Sequence, residues 1–455
     1  MITTVCGLML LGLLGLSWLA WTWWRRRPPQ VAAITASMQH LLRPRTPDDC
    51  PACRQQATGT TRAPRPCPPV RPWHQVKSRR GAPKRIRTQG FACPKRTCRY
   101  YRITDAAVHA LVGDGRHGRL ERIQTFRCQA CGTTFSARRH TPLYRLKTPA
   151  CRVSEVLTAL AEGLDVAAAV RVFGHQHATI TSWVTRAGDH SATLHQCWLQ
   201  GLHLLHVQLD ELRTRLRSRT STLWLWVAID PITKLIPALY LGARTQASAH
   251  VVVHSLRQRL APGCIPAFTS DGLNHYFYAL TAHFGYWVRN PGRRARQWQV
   301  AAGLIYGQPG THWVKTYRRR KLVRVTRLMR CGSYQALQTT LQGVGLSGTL
   351  NTAFVERVNL TLRCSVAALA RRTWATAQAA PQLVAQLEWW RGYYHFVRCH
   401  TSLRVPLTQP RERGGRRQPQ RYRQRTPAMA AGLTHRRWTV CELLTMPLPP
   451  PRGTA

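Results

Sequence analysis

Three acidic residues, Asp210, Asp271 and Glu356, stand far apart in a chain that has few acids. Its 455 residues hold 67 Lys and Arg against 17 Asp and Glu. Glu356 sits in the apolar-patterned string NTAFVERVNL, and the nearest acids along the chain are Asp271 before it and Glu388 after it. Carboxylates gathered at one place repel unless divalent cations bridge them, and hard Mg²⁺ or Mn²⁺ prefers such oxygen donors. Sulfur forms a second constellation. Cys93 and Cys98 in FACPKRTC and Cys128 and Cys131 in FRCQACGTTF make two short pairs. Each pair offers two thiolates from one tight turn, and two turns complete a tetrahedral zinc site with no open position, hence a structural one. Gly132 gives the second knuckle its backbone freedom. Phe91, Phe126 and Phe135 would surround a core too small to stand without metal. A looser set, Cys50, Cys53, Cys67 and His74, could hold a second zinc on the strength of a single C-x-x-C. The isolated Cys151, Cys197, Cys264, Cys331, Cys364, Cys399 and Cys441 read as reduced apolar filler.

The elements that must position these groups follow from periodicity. VSEVLTALAEGL places Val153, Val156, Leu157, Leu160 and Leu164 on one helical face. DVAAAVRVFG begins on a capping Asp165 and stops at Gly174. HATITSWVTRAG gives a third helix with Ile180, Trp183 and Val184 inward. Three short helices with a glycine turn before the last predict a helix-turn-helix over 150–190. Gln176, His177, Thr179, Thr181, Ser182 and Arg186 would face a DNA groove. From 203 the pattern turns strand-like: HLLHVQLDEL ends near Asp210, TLWLWVAIDP turns at Asp230-Pro231, and KLIPALYLGA returns. The helix ASAHVVVHSLRQRL and the strand IPAFTSDGLNHY, ending at Asp271, come next. Three antiparallel strands, a helix, then a strand is the order of a ribonuclease-H-like α/β sheet. There the first and fourth strands are neighbours, so Asp210 and Asp271 come within reach of each other. Glu356, on a helical segment, completes the site, with Arg363 two turns on along the same face. Asp230 reads as a turn residue, and Glu211, next to Asp210, points to the opposite sheet face.

These residues resemble the DDE (Asp-Asp-Glu) transposases. FVERVNLTLR, then Arg371-Arg372-Thr373, then YYHFVRCHTSLR are similar to the insertion-sequence-one type, over roughly residues 91–405. The resemblance implies a metal-binding triad of Asp210, Asp271 and Glu356, with Arg357, Asn359 and Arg363 supporting it or touching DNA. It also implies that a zinc ribbon and helix-turn-helix bind the element's terminal inverted repeats. The expected fold is multidomain: zinc ribbon (91–149), helix-turn-helix (150–190), then a ribonuclease-H-like α/β core with a mixed five-stranded sheet (200–405). The expected reaction is cleavage and transfer of DNA strands with two divalent ions, Mg²⁺ or Mn²⁺, at the active site. No covalent protein–DNA intermediate is needed, so Tyr393 and Tyr394 read as structural. A DNA-binding protein derived from a transposase and without turnover is the alternative.

A net charge of +50 demands a polyanionic partner, nucleic acid first and an anionic membrane surface second. Residues 291–350 read as an insertion. Within it, Lys315 to Arg330 carries eight basic residues and no acid, including Lys315, Arg318, Arg319, Arg320 and Lys321, suited to phosphate contact. Residues 28–90 read as a flexible basic arm and 406–455 as a basic tail. The segment 1–27 is hydrophobic, uncharged from Ile2 to Trp24 and followed by three arginines, and so is a candidate membrane anchor. The expected setting is cytoplasmic and nucleoid-associated, as a homo-oligomer on double-stranded DNA, with membrane anchoring through residues 2–24 as the variant.

Overall fold

A computed structural model describes residues 70–77, 86–217, 222–289, 296–309, 315–318, 321–325, 327–347, 350–411 and 419–450. The segment 1–27, most of the arm, Cys50, Cys53, Cys67, Arg319 and Arg320 lie outside the described residues. No helix among the described residues is long and apolar enough to cross a membrane.

The first module is a three-stranded antiparallel sheet, β1 (Leu111–His117), β2 (Ile123–Cys128) and β3 (Thr134–Ser136). Phe126 is its centre, with ring centroids 4.5 Å from Phe91 and 5.7 Å from Phe135. Part of the expected arm belongs here. A helical turn, Trp73–Val76, sets Trp73 edge-on to Tyr100 at 5.9 Å, and Val70 and Ile86 pack on the same core. A core this small recruits whatever apolar side chains flank it.

Three helices succeed it: α1 (Ala150–Ala161), α2 (Val166–Phe173) and α3 (His177–Trp198). Asp165 caps α2 by accepting from the Ala168 amide at 2.7 Å, as its position predicts. The third helix runs well past the expected end at Gly188. That glycine is a packing residue: a Cβ there would collide with the backbone of Ala385, in α8 (Ala380–Phe396). Gly392 answers it, facing Ser191. The second half of α3 is therefore packed in the main core, and the three-helix unit is fused to the α/β body of the protein.

The main sheet is mixed and has six strands, one more than expected. Its first three are β4 (His206–Arg215), β5 (Thr222–Ile229) and β6 (Ala238–Gly242), all antiparallel. β4 runs on past Asp210 because β5 pairs with it as far as Arg215. β7 (Ala267–Ser270) lies parallel to β4, and β10 (Tyr306–Pro309) parallel to β7. β13 (Arg327–Cys331) closes the edge antiparallel to β10. The stretch 291–350 is thus no simple insertion, since it supplies the last two strands on one side of the sheet, β10 and β13. Its helix α6 (Tyr334–Gly343) buries Leu337 and Leu341 beside Ala267. β8 (Gly285–Val288) pairs with β9 (Gln297–Val300), and β11 (Lys315–Arg318) with β12 (Lys321–Val325), as two separate hairpins.

Strand alternation divides the core. On one face, Val207 and Leu209 meet α4 (Gln246–Arg259) and α5 (Asn274–His283) through Val252, Val253 and Leu280. On the other, Leu212, Leu225 and Val227 meet α7 (Ala353–Ser365) and α8 through Val355, Leu362, Leu387 and Trp390. The expected basic tail is also part of the fold. β14 (Val405–Arg411) pairs with β15 (Gln420–Arg423), Trp438 stacks on Phe396 at 4.4 Å, and α9 (Val440–Thr445) buries Leu443 and Leu444 behind a Thr439–Glu442 capping box.

Candidate metal centres

The four paired cysteines converge. One Sγ from each of Cys93, Cys98, Cys128 and Cys131 lies within 4.8 Å of the others. Cys93–Cys131 are 3.6 Å apart and Cys98–Cys128 3.9 Å. A zinc–sulfur distance of about 2.3 Å sets the edge of a tetrahedral site at about 3.8 Å, so the spacing fits zinc. The Tyr100 amide donates to Cys98 Sγ, and Gly132, with φ 72°, turns the second knuckle so that its amide reaches the Cys128 carbonyl. Cys128 accepts from Cys93 and Cys98; this holds its thiol well below the ordinary range and pushes theirs up. His74 takes no part and contacts the Ala107 carbonyl at 3.3 Å.

The second centre lies where β4 and β7 run side by side. Their register pairs Leu209 with Ser270, so the next residues, Asp210 and Asp271, are neighbours. Carboxylate oxygens of Asp210, Glu211 and Asp271 gather within 4.8 Å. Burial, then the charge of Asp271, pushes the Asp210 carboxyl up to about 7, with Glu211 and Glu356 adding to it. Glu211 does leave β4 on the opposite face, yet it reaches the group at the sheet's end. Both of its oxygens are already engaged: Oε1 accepts from Arg244 at 2.9 and 2.6 Å, and Oε2 from the Tyr276 hydroxyl at 3.1 Å. Arg244 offsets its charge, which leaves Asp210 and Asp271 as the pair suited to a hard cation. Asp230, as expected, is a turn residue, accepting from the Ile232 and Thr233 amides and the Thr233 hydroxyl.

Glu356 is not one of the gathered carboxylates. It is exposed on α7, where its Oε1 accepts from the Thr352 hydroxyl at 2.8 Å, though its charge is felt at Asp210. Asn359, expected to support the triad or to touch DNA, is buried and donates through Nδ2 to Asp210 Oδ2 at 2.7 Å, the first of the two roles. It lies one turn from Glu356 on the same helix face, so the spacing alone carried that signal. Gln208 was missed by sequence reasoning. It precedes Asp210 by two on the same strand face, and its Oε1 accepts from the Phe354 and Val355 amides at 3.1 and 3.0 Å. Its Nε2 donates to the Asn351 carbonyl at 2.9 Å. Thr352, at the N-cap of α7, makes no side-chain cap bond, and Asn351 Oδ1 accepts only from the Ala353 amide; Gln208 takes the next two amides and fixes the helix against β4.

The remaining expected contacts divide. Gln176, His177 and Arg186 are exposed on the front of α3 and Thr179 is half-buried; the Arg186 guanidinium donates to the Tyr144 carbonyl at 3.0 Å. Arg357 is exposed, and Arg363 donates to the Leu369 carbonyl at 3.3 Å. Lys315, Arg318 and Lys321 lie on the backbone of the β11–β12 hairpin. Glu388 is structural: burial would raise its carboxyl, but Arg391 and His195 hold it down at about 2. Tyr393 donates to Glu162 at 2.8 Å and Tyr394 stacks on Trp390 at 4.9 Å, both structural as expected. No protein-family model matches the chain, and no curated protein matches it.

Proposed function

We propose that this protein is a DNA transposase of the Asp-Asp-Glu type, binding the ends of a mobile element and cleaving and joining DNA strands. The observation that carries the reading is the juxtaposition of Asp210 and Asp271 on adjacent parallel strands, braced by Asn359 from the helix that bears Glu356. The strand order β6-β5-β4-β7-β10 agrees with a ribonuclease-H-like sheet, with β13 added at its edge. The four-thiol group agrees with a zinc ribbon, and α1–α3 with a helix-turn-helix ahead of the core.

Asp210 and Asp271 would hold divalent cations, Mg²⁺ or Mn²⁺, with Glu356 approaching from α7. Bound there, such ions activate an attacking water or 3′-hydroxyl and stabilise the leaving oxygen. The protein's own residues do the rest. Asn359 fixes the Asp210 carboxylate, Gln208 fixes α7, and Arg244 and Tyr276 keep Glu211 engaged. The positive surface holds duplex phosphates at the site.

The test is Mg²⁺-dependent cleavage of DNA carrying the element's own ends. Asp210→Asn, Asp271→Asn and Glu356→Gln should each abolish cleavage while DNA binding persists, and Asp230→Asn should leave cleavage in place. A Glu356→Gln protein that cleaves normally would remove Glu356 from the site, whereas a wild-type chain that binds the ends and never cleaves them favours the second reading, a DNA-binding protein without turnover. The Thr352 contact of Glu356, outside the gathered carboxylates, is the observation on that side.

A further inference from the structure

Beyond the carboxylates, β4 and α7 lead together into a second feature. Arg213 and Arg215 succeed Asp210 along β4, about 10 and 17 Å farther on at the rise of a strand. Arg363 lies one turn of α7 beyond Asn359. With Arg371 and Arg372 they line a cleft of about 420 Å³ that no acidic residue lines. Five arginines and no acid among the lining residues make this cleft a setting that attracts an anion. Arg372 also holds a left-handed backbone, φ 53°, which a non-glycine side chain disfavours and which the surrounding structure must enforce.

Next to this cleft stands Trp374, 97% exposed. No core contact accounts for a tryptophan there. It also forms the lip of an apolar hollow of about 210 Å³ that reaches under α3 to Val366, Trp389 and Trp390. Ala368 and Thr376 line both spaces, so cleft and hollow adjoin. Anion-binding arginines beside an exposed aromatic face are the two halves of a single-strand site: guanidinium groups take the backbone, and the indole stacks a base.

We propose that the cleft and Trp374 bind an unpaired nucleotide of a DNA strand, with its phosphates among the arginines and its base on the indole at the mouth of the hollow. The proposal deepens the DNA reading above by naming the form of DNA held. It places a splayed base on the α7 side of the carboxylates, where a duplex must open for the strand to turn away.

The test uses the full chain and needs no cleavage. A short oligothymidylate with one 5-iodouracil is photocross-linked to the protein, and the linked peptide is mapped. Competitors are the unmodified oligothymidylate, an abasic strand of equal length and a blunt duplex. The expected cross-link is to Trp374; it disappears in Trp374→Ala and persists in Trp374→Phe, and oligothymidylate competes about ten-fold or more better than the abasic strand, the scale of one stacked base. Arg372→Ala should weaken both strands alike and lower the salt slope by about 0.7 for each phosphate that is no longer neutralised. Cross-links confined to other aromatics, or equal competition by the abasic strand or the duplex, overturn the proposal. A chain that cross-links at Trp374 but does not cleave would refute the transposase reading alone; one that cleaves without this cross-link would refute only the nucleotide site.

Discussion

Replacing Asp210 with asparagine should stabilise the protein in the absence of divalent metal, and the effect should depend on pH in a defined way. Burial and the neighbouring charge of Asp271 raise the Asp210 carboxyl from 3.8 to about 7. The folded chain therefore holds this proton more tightly than the unfolded chain. The ionised carboxylate costs nothing below the unfolded value, costs progressively more as pH rises between the two values, and costs its full amount above the folded one. A shift of about 3 units at about 1.4 kcal/mol each gives an upper figure of about 4 kcal/mol. The substitution need lose no hydrogen bond. The Glu211 amide donates to Asp210 Oδ1, which the asparagine oxygen can replace. Asn359 now donates to Oδ2, but its own Oδ1 is buried and unpartnered, so a flip of its amide lets it accept from the new side-chain NH₂. The assay is thermal unfolding of wild type and Asp210→Asn in buffer stripped of Mg²⁺ and Mn²⁺ by a treatment that would leave zinc on the four cysteines. Only the difference between the two proteins is read, because the buried His190, His195 and His206, each lowered to about 4, contribute equally to both. That difference should be near zero at about pH 4 and reach several degrees in favour of the variant at about pH 8. Added Mg²⁺ should then stabilise the wild type alone. An advantage as large at low pH as at high pH, or none at high pH, refutes the electrostatic argument.

The same geometry makes four other outcomes expected. Metal analysis should find about one zinc per chain, and Cys131→Ser should release it and unfold the first module. Gln208→Ala should cost about 1–3 kcal/mol, since two helix-end amides lose their acceptor, and should reduce strand cleavage far more than DNA binding. Glu211→Gln should lower stability while Mg²⁺ still stabilises the fold, because this side chain is engaged by Arg244 and Tyr276; loss of the Mg²⁺ response would make it a ligand instead. Arg318→Ala should weaken binding to all DNA alike, about one unit of salt slope per phosphate, whereas Arg186→Ala should lower discrimination between the element's ends and random sequence.

Much of this architecture was legible because local chemistry and global position agree. The cysteine pairs declare their convergence through spacing, and Asp165 and Gly174 mark the ends of α2 by capping and handedness. The strand run from 203 declares an antiparallel meander followed by a parallel strand, which places Asp210 beside Asp271. The features that escaped reading depend on residues distant in sequence. Gly188 looks like a helix end and is instead the groove into which Ala385 fits. Tyr306–Pro309 is too short to announce itself as a central strand and is held by Phe268 across the ladder. Glu211 and Gln208 are the subtler cases. Alternation put Glu211 on its correct face and left Gln208 unnoticed, and only the far ends of Arg244, Tyr276 and α7 decide what those side chains do.

The length of α3 has a consequence of its own. Its first half carries the exposed Gln176, His177 and Arg186, and its second half is clamped against α8 by paired glycines. A continuous α-helix is a rigid ruler, so the surface that would read a DNA sequence keeps one distance and one angular phase from the carboxylates. Cut site and recognised sequence would then be separated by a fixed number of base pairs. Adding one base pair between them would rotate the target away from the carboxylates, and adding a full helical turn would restore its phase but displace it by about 34 Å, so both should impair cutting. Inserting a single alanine midway along α3 would turn its front by about 100° relative to its clamped half, and would uncouple reading from cutting while leaving each surface intact.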